Sequence, residues 1–153
     1  GIEKVDFLTS HPNHMTEHLM DCIAKEPKIT RTIHVALQSG DDEILKAMNR
    51  KHSMEQFLGM VAKLRQTVTG ACLSTDLIVG FPGETETQFQ RSCQAVVDVG
   101  FIRVNTAAYS ARPGTPAAEL PDQIPEDVKA DRLQRLMQVV ERVKNRVKIE
   151  SLP

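Results

Sequence analysis

The feature that most constrains the fold of this chain is a series of four short apolar runs, each followed by polar residues or glycine. They cover residues 5–8, 33–37, 74–79 and 104–109, and segments with helical spacing separate them. Strands that alternate with helices form a parallel sheet with right-handed crossovers. We therefore expect an α/β fold in which the polar strand ends meet at one edge, where such folds bind ligands.

The segments between these runs carry helix start signals. Ser53 with Gln56, and Thr85 with Gln88, each have the spacing of a capping box. The last helix is predicted to begin at Pro125 and to be the longest. Its apolar stripe is predicted to contain Leu133, Leu136, Met137, Val140, Val143 and Val147.

The number of strands limits the architecture. A closed eight-stranded barrel needs about 250 residues, whereas this chain has 153. The choice is between a small open sheet and a piece of a larger barrel. The first strand begins almost at residue 1, with no helix before it to cover it, which favours the piece. We predict that residues 1–153 form a partial (βα) TIM-like barrel with about four parallel strands, covering helices and a long C-terminal helix.

Composition excludes several classes of protein. With 41% hydrophobic and 25% charged residues, the chain is globular in character, and its net charge of −1 gives no general reason to expect nucleic-acid binding. It has no apolar run of about 20 residues and no signal-peptide pattern, so we expect a cytoplasmic, monomeric protein without a membrane partner. Cys22, Cys72 and Cys93 lack metal-ligand spacing, and no metal site is predicted.

Asp76 is the first candidate site residue, because it is a carboxylate inside an apolar strand and a buried acid needs a polar partner. Ile78 lies on the same side of that strand. Such a pair can serve a nucleoside, with the acid accepting from ribose hydroxyls and the apolar side chain packing on the base. The alternative is a structural carboxylate that caps nearby backbone or binds an arginine. The turn at Gly80 and Phe81 allows close backbone approach to a flat ligand, or is simply a turn.

Gln38 and Arg50 are separated by one short helix, which can fold Arg50 back toward the strand end and suit a carboxylate ligand. A solvated arginine at a helix C-terminus is the alternative. His11 is either a ligand contact or a surface residue, and His14 and His18 are interpreted as surface histidines. No serine-histidine-acid set can be picked out, and no catalytic residue is assigned.

Three ordered segments resemble the radical S-adenosylmethionine methylthiotransferases. They are residues 38–50 (QSGDDEILKAMNR), 76–85 (DLIVGFPGET) and 111–118 (ARPGTPAA). Residues 9–12 (TSHP) and 110–116 (SARPGTP) further resemble the branch that methylthiolates N6-isopentenyladenosine beside the tRNA anticodon.

The resemblance implies roles for individual residues around S-adenosylmethionine. Gln38 and Arg50 would hold the methionyl carboxylate or amine, with Ser39 in the same segment, and Asp76 would bind the ribose. Near the adenine would lie Ile78, Gly80, Phe81 and the backbone around Tyr109. The loops that contain Ser10, His11, Arg112 and Thr115 would face the substrate.

The resemblance also implies a reaction and partners. S-adenosylmethionine would be cleaved reductively to a deoxyadenosyl radical that abstracts hydrogen from adenine C2, before sulfur insertion and methylation. The partners would be tRNA and a reductant for two 4Fe-4S clusters. The Cys-x-x-x-Cys-x-x-Cys loop and the second cysteine set that bind these clusters in the family are not in this sequence, nor is a C-terminal RNA-binding domain. We therefore expect the later part of the barrel of a larger protein.

Other functions stay open at this point. Sister enzymes act on threonylcarbamoyl-adenosine in tRNA or on a ribosomal protein. A different class is a non-catalytic module that binds S-adenosylmethionine or RNA. A third hypothesis is an unrelated barrel enzyme in which Asp76 and His11 do acid-base work, although no second acid or base stands at a defined spacing from them.

Overall fold

The computed structural model describes residues 1–6 and 11–150, with side chains to residue 147. Its elements in chain order are α1 (Glu17–Lys25), β1 (Thr32–His34), α2 (Asp42–Ala47), α3 (Met54–Thr67), β2 (Cys72–Val79), α4 (Glu86–Val99), β3 (Arg103–Ala108) and α5 (Glu126–Glu150), with short 3-10 helices at Pro12–His14 and Pro116–Glu119.

The strands form a parallel sheet in the order β1-β2-β3, so the predicted α/β class with a long C-terminal helix is confirmed. In the described residues the sheet has three strands, where we predicted about four. The expected first strand contributes a parallel bridge between Val5 and Ile29. Residues 7–10 of that run and its end lie outside the described residues.

The first ladder is shorter than predicted, since β1 stops at His34 and does not continue to residue 37. Beyond His34, the side chain of Thr75 makes hydrogen bonds to the backbone that a neighbouring strand would otherwise make. The Thr75 hydroxyl donates to the Val35 carbonyl at 2.7 Å and accepts from the Leu37 N–H at 2.9 Å. Pairing resumes where Gln38 bridges to Leu77. The β1 chain therefore swings away from β2 just before it reaches the predicted site.

One face of the sheet is covered by helices and forms the core. Side chains from the strands and from α3, α4 and α5 meet there, and each fully buried one contributes roughly 1.5–3 kcal/mol. These residues include Ile33, Leu37, Leu73, Leu77, Val79, Phe57, Leu64, Phe89, Val96 and Leu136. The core fixes the covering helices on one face of the sheet. In the described residues no helix covers the other face, which we call the open face.

Both predicted capping boxes are present, at Ser53 before α3 and at Thr85 before α4. Helix α5 begins at Glu126, one residue after the predicted start. The prediction for Met137 is wrong, because this residue is 55% exposed. Met137 follows Leu136 in the sequence, and consecutive residues of a helix point about 100° apart, so its side chain turns away from the buried stripe. Among the described residues, the helices are too short or too polar to cross a membrane.

Candidate functional site

A cleft of about 770 Å³ opens at the carboxyl ends of β1, β2 and β3, and we call it the strand-end cleft. The sequence predicted most of its polar and aromatic wall. The predicted residues that line it are Gln38, Arg50, Ile78, Phe81, Tyr109, Arg112 and Thr115. The structure therefore brings together side chains that lie up to 77 positions apart in the sequence.

Arg50 reaches the cleft because of the way α2 ends. Asn49 is left-handed, with φ of 56°, and its N–H donates to the Lys46 carbonyl at 2.9 Å. The Arg50 N–H donates to the Leu45 carbonyl at 2.8 Å. This pair of bonds is a Schellman motif, which reverses the chain after a helix. The reversal returns Arg50 to the same cleft as Gln38, as the spacing suggested.

Apolar and aromatic side chains form a ledge on another side of the cleft. The Phe81 and Tyr109 rings meet edge to face, with centroids 5.2 Å apart. The Tyr109 N–H donates to the Val79 carbonyl at 2.8 Å, which fixes the chain beyond β3 beside the end of β2. Together with Ile78, these rings offer a surface on which a flat heterocycle can pack.

The segment after β3 forms a third wall. The Thr115 hydroxyl and N–H both bond to the Arg112 carbonyl, at 2.8 and 3.2 Å. Gly114, with φ of 81°, lies within this turn. The turn closes on itself and leaves the Arg112 side chain exposed, where a guanidinium can meet an anionic ligand at the cleft mouth.

Two basic residues of α5 support the loops of the cleft on the side that faces this helix. The sequence analysis did not identify them. Arg132 and Glu84 form a buried ion pair at 2.9 Å, and Glu84 also accepts from the Gly80 N–H at 2.8 Å. Burial raises the pKa of the Glu84 carboxyl above its ordinary value. Lys129 donates to the Tyr109 carbonyl at 3.1 Å. Lys129, Arg132 and Leu136 are separated by three and four positions, so they lie on the same face of α5. This spacing is the sequence feature that could have indicated that the two basic residues are buried.

Three of the predicted cofactor contacts do not line the cleft: Asp76, which lies further down the open face of the sheet, and Gly80 and Ser39. Gly80 has φ of 71°, and a Cβ there would come within 2.3 Å of Lys129 Cγ, so its Cα faces α5. Ser39 is fully buried, with its hydroxyl 3.4 Å from that of Ser92, and it accepts from the Asp41 N–H at 3.2 Å. Gly80 and Ser39 therefore support the walls of the cleft without lining it.

His11 lies beside the loop that carries Arg50, whereas Ser10 is outside the described residues. The His11 ring stands edge to face with His52, at a centroid distance of 5.0 Å. Partial burial, together with the positive charge of Arg50, lowers the pKa of His11. His11 therefore presents a mostly neutral imidazole near neutral pH.

Asp76 lies on the open face of the sheet, in a hydrogen-bonded row that crosses the three strands. Its Oδ2 is 3.0 Å from His34 Nε2, and its Oδ1 accepts from Asn105 Nδ2 at 2.8 Å. His34 Nδ1 is 3.1 Å from the Ser74 hydroxyl. We name His34, Ser74, Asp76, Asn105 and Arg103 the open-face row. The strand register thus joins a serine, a histidine and an acid that sequence reasoning did not connect.

The open-face row is not arranged as a hydrolytic triad, because Ser74 is only 6% exposed and its hydroxyl is closed to a substrate. A metal site is not evident either. In residues 1–6 and 11–147, no group of three His, Cys, Asp or Glu side chains gathers to bind an ion. Cys22, Cys72 and Cys93 are free and partly buried, on three separate elements.

Comparisons with known proteins agree with this geometry. Residues 1–96 match the family model of the radical SAM superfamily. The fold is similar to that of coproporphyrinogen III oxidase (HemN) from Escherichia coli, a radical SAM enzyme, with a TM-score of 0.74 and 18% identity over 92% of this chain. Streptococcus suis SuiB bound to S-adenosylmethionine is also similar, with a TM-score of 0.50 and 13% identity over 89% of this chain.

The chain covers 32% of the HemN chain and 28% of the SuiB chain, so it spans about a third or less of each. At these identities the structural likeness establishes the fold, and the family match carries the assignment. Because that match extends over more than half of the residues, the chain belongs to the radical SAM superfamily.

Proposed function

We propose that this chain is the part of a tRNA methylthiotransferase that holds S-adenosylmethionine, in an enzyme that adds a methylthio group to C2 of N6-isopentenyladenosine. One observation carries the proposal. The turn from Arg112 to Thr115, which belongs to the segment that resembles this enzyme branch, lines the same cleft as Gln38 and Arg50. Segments that resemble the family's cofactor and substrate motifs thus face one another.

The residues of the strand-end cleft fit the chemistry of S-adenosylmethionine. This cofactor combines a carboxylate, an amine, a ribose and an adenine, and enzymes of the superfamily use it together with a 4Fe-4S cluster. Arg50 can bind the carboxylate with its planar guanidinium. The amide of Gln38 can serve the amine or the ribose. The ledge of Phe81, Tyr109 and Ile78 suits the adenine.

Asp76 is the proposed acceptor for the ribose hydroxyls. It lies on the same face of β2 as Ile78, about 7 Å before it along the strand. Its backbone carbonyl accepts from the Gln38 N–H at 2.9 Å, which ties it to a residue of the cleft. When bound, S-adenosylmethionine supplies the radical chemistry of this superfamily, and these side chains would bind and orient it.

The iron-sulfur clusters do not fit the side chains described here. Cluster assembly needs several thiolates gathered around a few iron atoms, and Cys22, Cys72 and Cys93 lie on separate elements. The proposal therefore requires cluster ligands from outside these residues, for two clusters, together with a reductant. This requirement also separates the enzyme from the non-catalytic module, which would need no cluster.

The substrate side of the proposal rests on charge and exposure. Arg112 is exposed at the cleft mouth and can pair with a phosphate of tRNA. His11, near Arg50, and Ser10, outside the described residues, are proposed to face the same substrate. The sister substrates, threonylcarbamoyl-adenosine tRNA and a ribosomal protein, would enter through the same mouth.

The test is a product analysis with the intact protein, reconstituted anaerobically with iron and sulfide and supplied with S-adenosylmethionine and a reductant. Transfer RNA that carries N6-isopentenyladenosine should yield the 2-methylthio nucleoside by mass spectrometry, and Arg112→Ala should reduce the yield. Arg31→Ala is the matched control, because Arg31 bonds to the Thr69 carbonyl near the opposite ends of the strands. Product from threonylcarbamoyl-adenosine tRNA or a ribosomal protein alone would contradict the substrate. Binding of S-adenosylmethionine without cluster or product would favour the module.

A further inference from the structure

We infer that His34 is a positioning residue, which orients the Asp76 carboxylate for the ribose of S-adenosylmethionine. The inference rests on the proposed function, since it concerns the same cofactor site. It adds a role for a histidine that neither the motifs nor the lining of the strand-end cleft include.

The hydrogen bonds of His34 fix its ring from both sides. One ring nitrogen, Nδ1, is 3.1 Å from the Ser74 hydroxyl, and the other, Nε2, is 3.0 Å from Asp76 Oδ2. The hydroxyl can donate or accept the hydrogen bond, as the tautomer of the ring requires. With Nε2 carrying its hydrogen, the ring donates to Asp76 and accepts from Ser74. Ser74 lies directly opposite His34 in the strand register, so the backbone of the sheet sets this contact.

The other carboxylate oxygen is fixed from the opposite side. Asn105, paired with Asp76 in the β2-β3 register, donates its Nδ2 to Oδ1 at 2.8 Å. The side-chain oxygen of Asn105, Oδ1, accepts from Arg103 Nε at 3.2 Å, and this bond determines which end of the side-chain amide faces Asp76. Asp76 is therefore bracketed by donors from two neighbouring strands, one on each oxygen.

This arrangement leaves Asp76 able to bind a ligand. Each carboxylate oxygen has two lone pairs, and each uses one for its strand neighbour. The Asp76 side chain is 37% exposed on the open face, so the remaining acceptors are accessible. A carboxylate whose rotation is already restricted loses less conformational freedom on binding, which raises affinity. Side chains that bond to a ligand-binding residue without touching the ligand commonly orient that residue.

The partial exposure of the pair argues against a purely structural role. The His34 and Asp76 side chains are 22% and 37% exposed. Polar side-chain pairs in such exposed positions contribute little to stability, because water competes for their hydrogen bonds and screens any charge they carry. The buried pair of Glu84 and Arg132 already connects the neighbouring turn to α5. The His34 contact is therefore better explained by the orientation of Asp76 than by folding.

The experiment measures the affinity of the intact protein for S-adenosylmethionine by calorimetry, together with thermal unfolding. His34→Leu removes the donor and should weaken binding about fivefold, the effect of one net hydrogen bond, with little change in melting temperature. His34→Gln keeps a donor and should recover part of the loss. His18→Gln is the control, since His18 is an exposed histidine of α1.

A double-mutant cycle separates this inference from the proposed function. Asp76→Asn should weaken binding about tenfold or more, and His34→Leu should add little once Asp76 has been replaced. If Asp76→Asn leaves affinity unchanged, the ribose site of the proposed function is wrong. If Asp76→Asn weakens binding while His34→Leu does not, or if the two effects simply add, the positioning role of His34 is overturned and the ribose site stands.

Discussion

The two faces of β2 differ in what their side chains do. Leu77 and Val79 point to the helix-covered face and are 1% and 0% exposed. Asp76 and Ile78, their neighbours in sequence, point to the open face and are partly exposed. Side chains alternate between the faces of a strand, so one strand serves both purposes. Stability is concentrated on the covered face, and the candidate chemistry lies on the open face and at the strand ends.

Each region also has a hydrogen-bonded pair of side chains, and the two pairs should differ in how much they stabilise the fold. Glu84 and Arg132, behind the strand ends, are 0% and 7% exposed in their side chains. His34 and Asp76, on the open face, are at least a fifth exposed. Removing one partner of a buried pair leaves a charge without solvent, whereas an exposed pair is compensated by water. The two pairs can therefore be tested separately, the buried pair by unfolding and the exposed pair by ligand binding.

The largest expected effect is on the buried pair. Arg132→Met should lower the free energy of unfolding by about 3–5 kcal/mol, because Glu84 loses its buried cation. Urea denaturation monitored by circular dichroism measures this change. His34→Leu is the matched variant for the open face and should cost less than about 1 kcal/mol. Equal losses from the two variants would contradict the division between the faces.

The same pair predicts a dependence on pH. Burial raises the pKa of Glu84 above its ordinary value of 4.5, so the folded state binds that proton more tightly than the unfolded state. The contribution of this carboxyl to stability is therefore greatest below about pH 4.5 and decreases as pH rises through the raised pKa. Without the cation in Arg132→Met, the free energy of unfolding should increase more on acidification from pH 8 to pH 5.5 than in the wild type. A parallel pH dependence in both proteins would show that Arg132 does not control Glu84.

The next effect compares neighbouring residues on opposite faces. Leu77→Ala should cost roughly 2–5 kcal/mol, since it opens a cavity in the core. Ile78→Ala removes similar atoms from the open face and should cost about 1 kcal/mol or less in unfolding, while weakening the binding of S-adenosylmethionine. Chemical denaturation and calorimetry on both variants make the comparison. If Ile78→Ala destabilises the protein as much as Leu77→Ala does, the two faces of β2 do not divide stability and binding between them.

A smaller effect is expected at the turn between the faces. Gly80→Ala places a Cβ against Lys129 at a positive φ, and should cost about 1–3 kcal/mol through strain. Gly83→Ala is the control, because it shares the positive φ while its Cβ would meet open space. The difference between the two melting temperatures isolates the contact with α5. Identical melting temperatures would mean that Lys129 moves aside freely.

The parts of this molecule that depend on local sequence were predictable. The capping boxes at Ser53 and Thr85 formed where they were expected, because each involves residues within one helical turn. The return of Arg50 to the cleft followed from a short helix and the reversal after it. The α/β class followed from the alternation of strands and helices.

The remaining features depend on register and on long-range packing, which the sequence does not encode locally. The contact of His34 with Asp76 requires the pairing of β1 with β2. The early end of β1 depends on the Thr75 hydroxyl. Lys129 and Arg132 were not recognised as buried, since basic residues on a helix are ordinarily solvated and their partners lie 20 and 48 positions away.

We propose that the strand-end cleft holds S-adenosylmethionine through Arg50. The most direct measurement is a calorimetric titration of S-adenosylmethionine into the intact protein and into Arg50→Ala, Arg50→Lys and the control Arg31→Ala. Arg50→Ala should bind roughly tenfold to a hundredfold more weakly, the effect of a charge-assisted hydrogen bond, and lysine should not restore the planar, two-pronged contact. Arg31→Ala should bind as the wild type does. Unchanged affinity in Arg50→Ala, or equal losses in Arg50→Ala and Arg31→Ala, would contradict the claim.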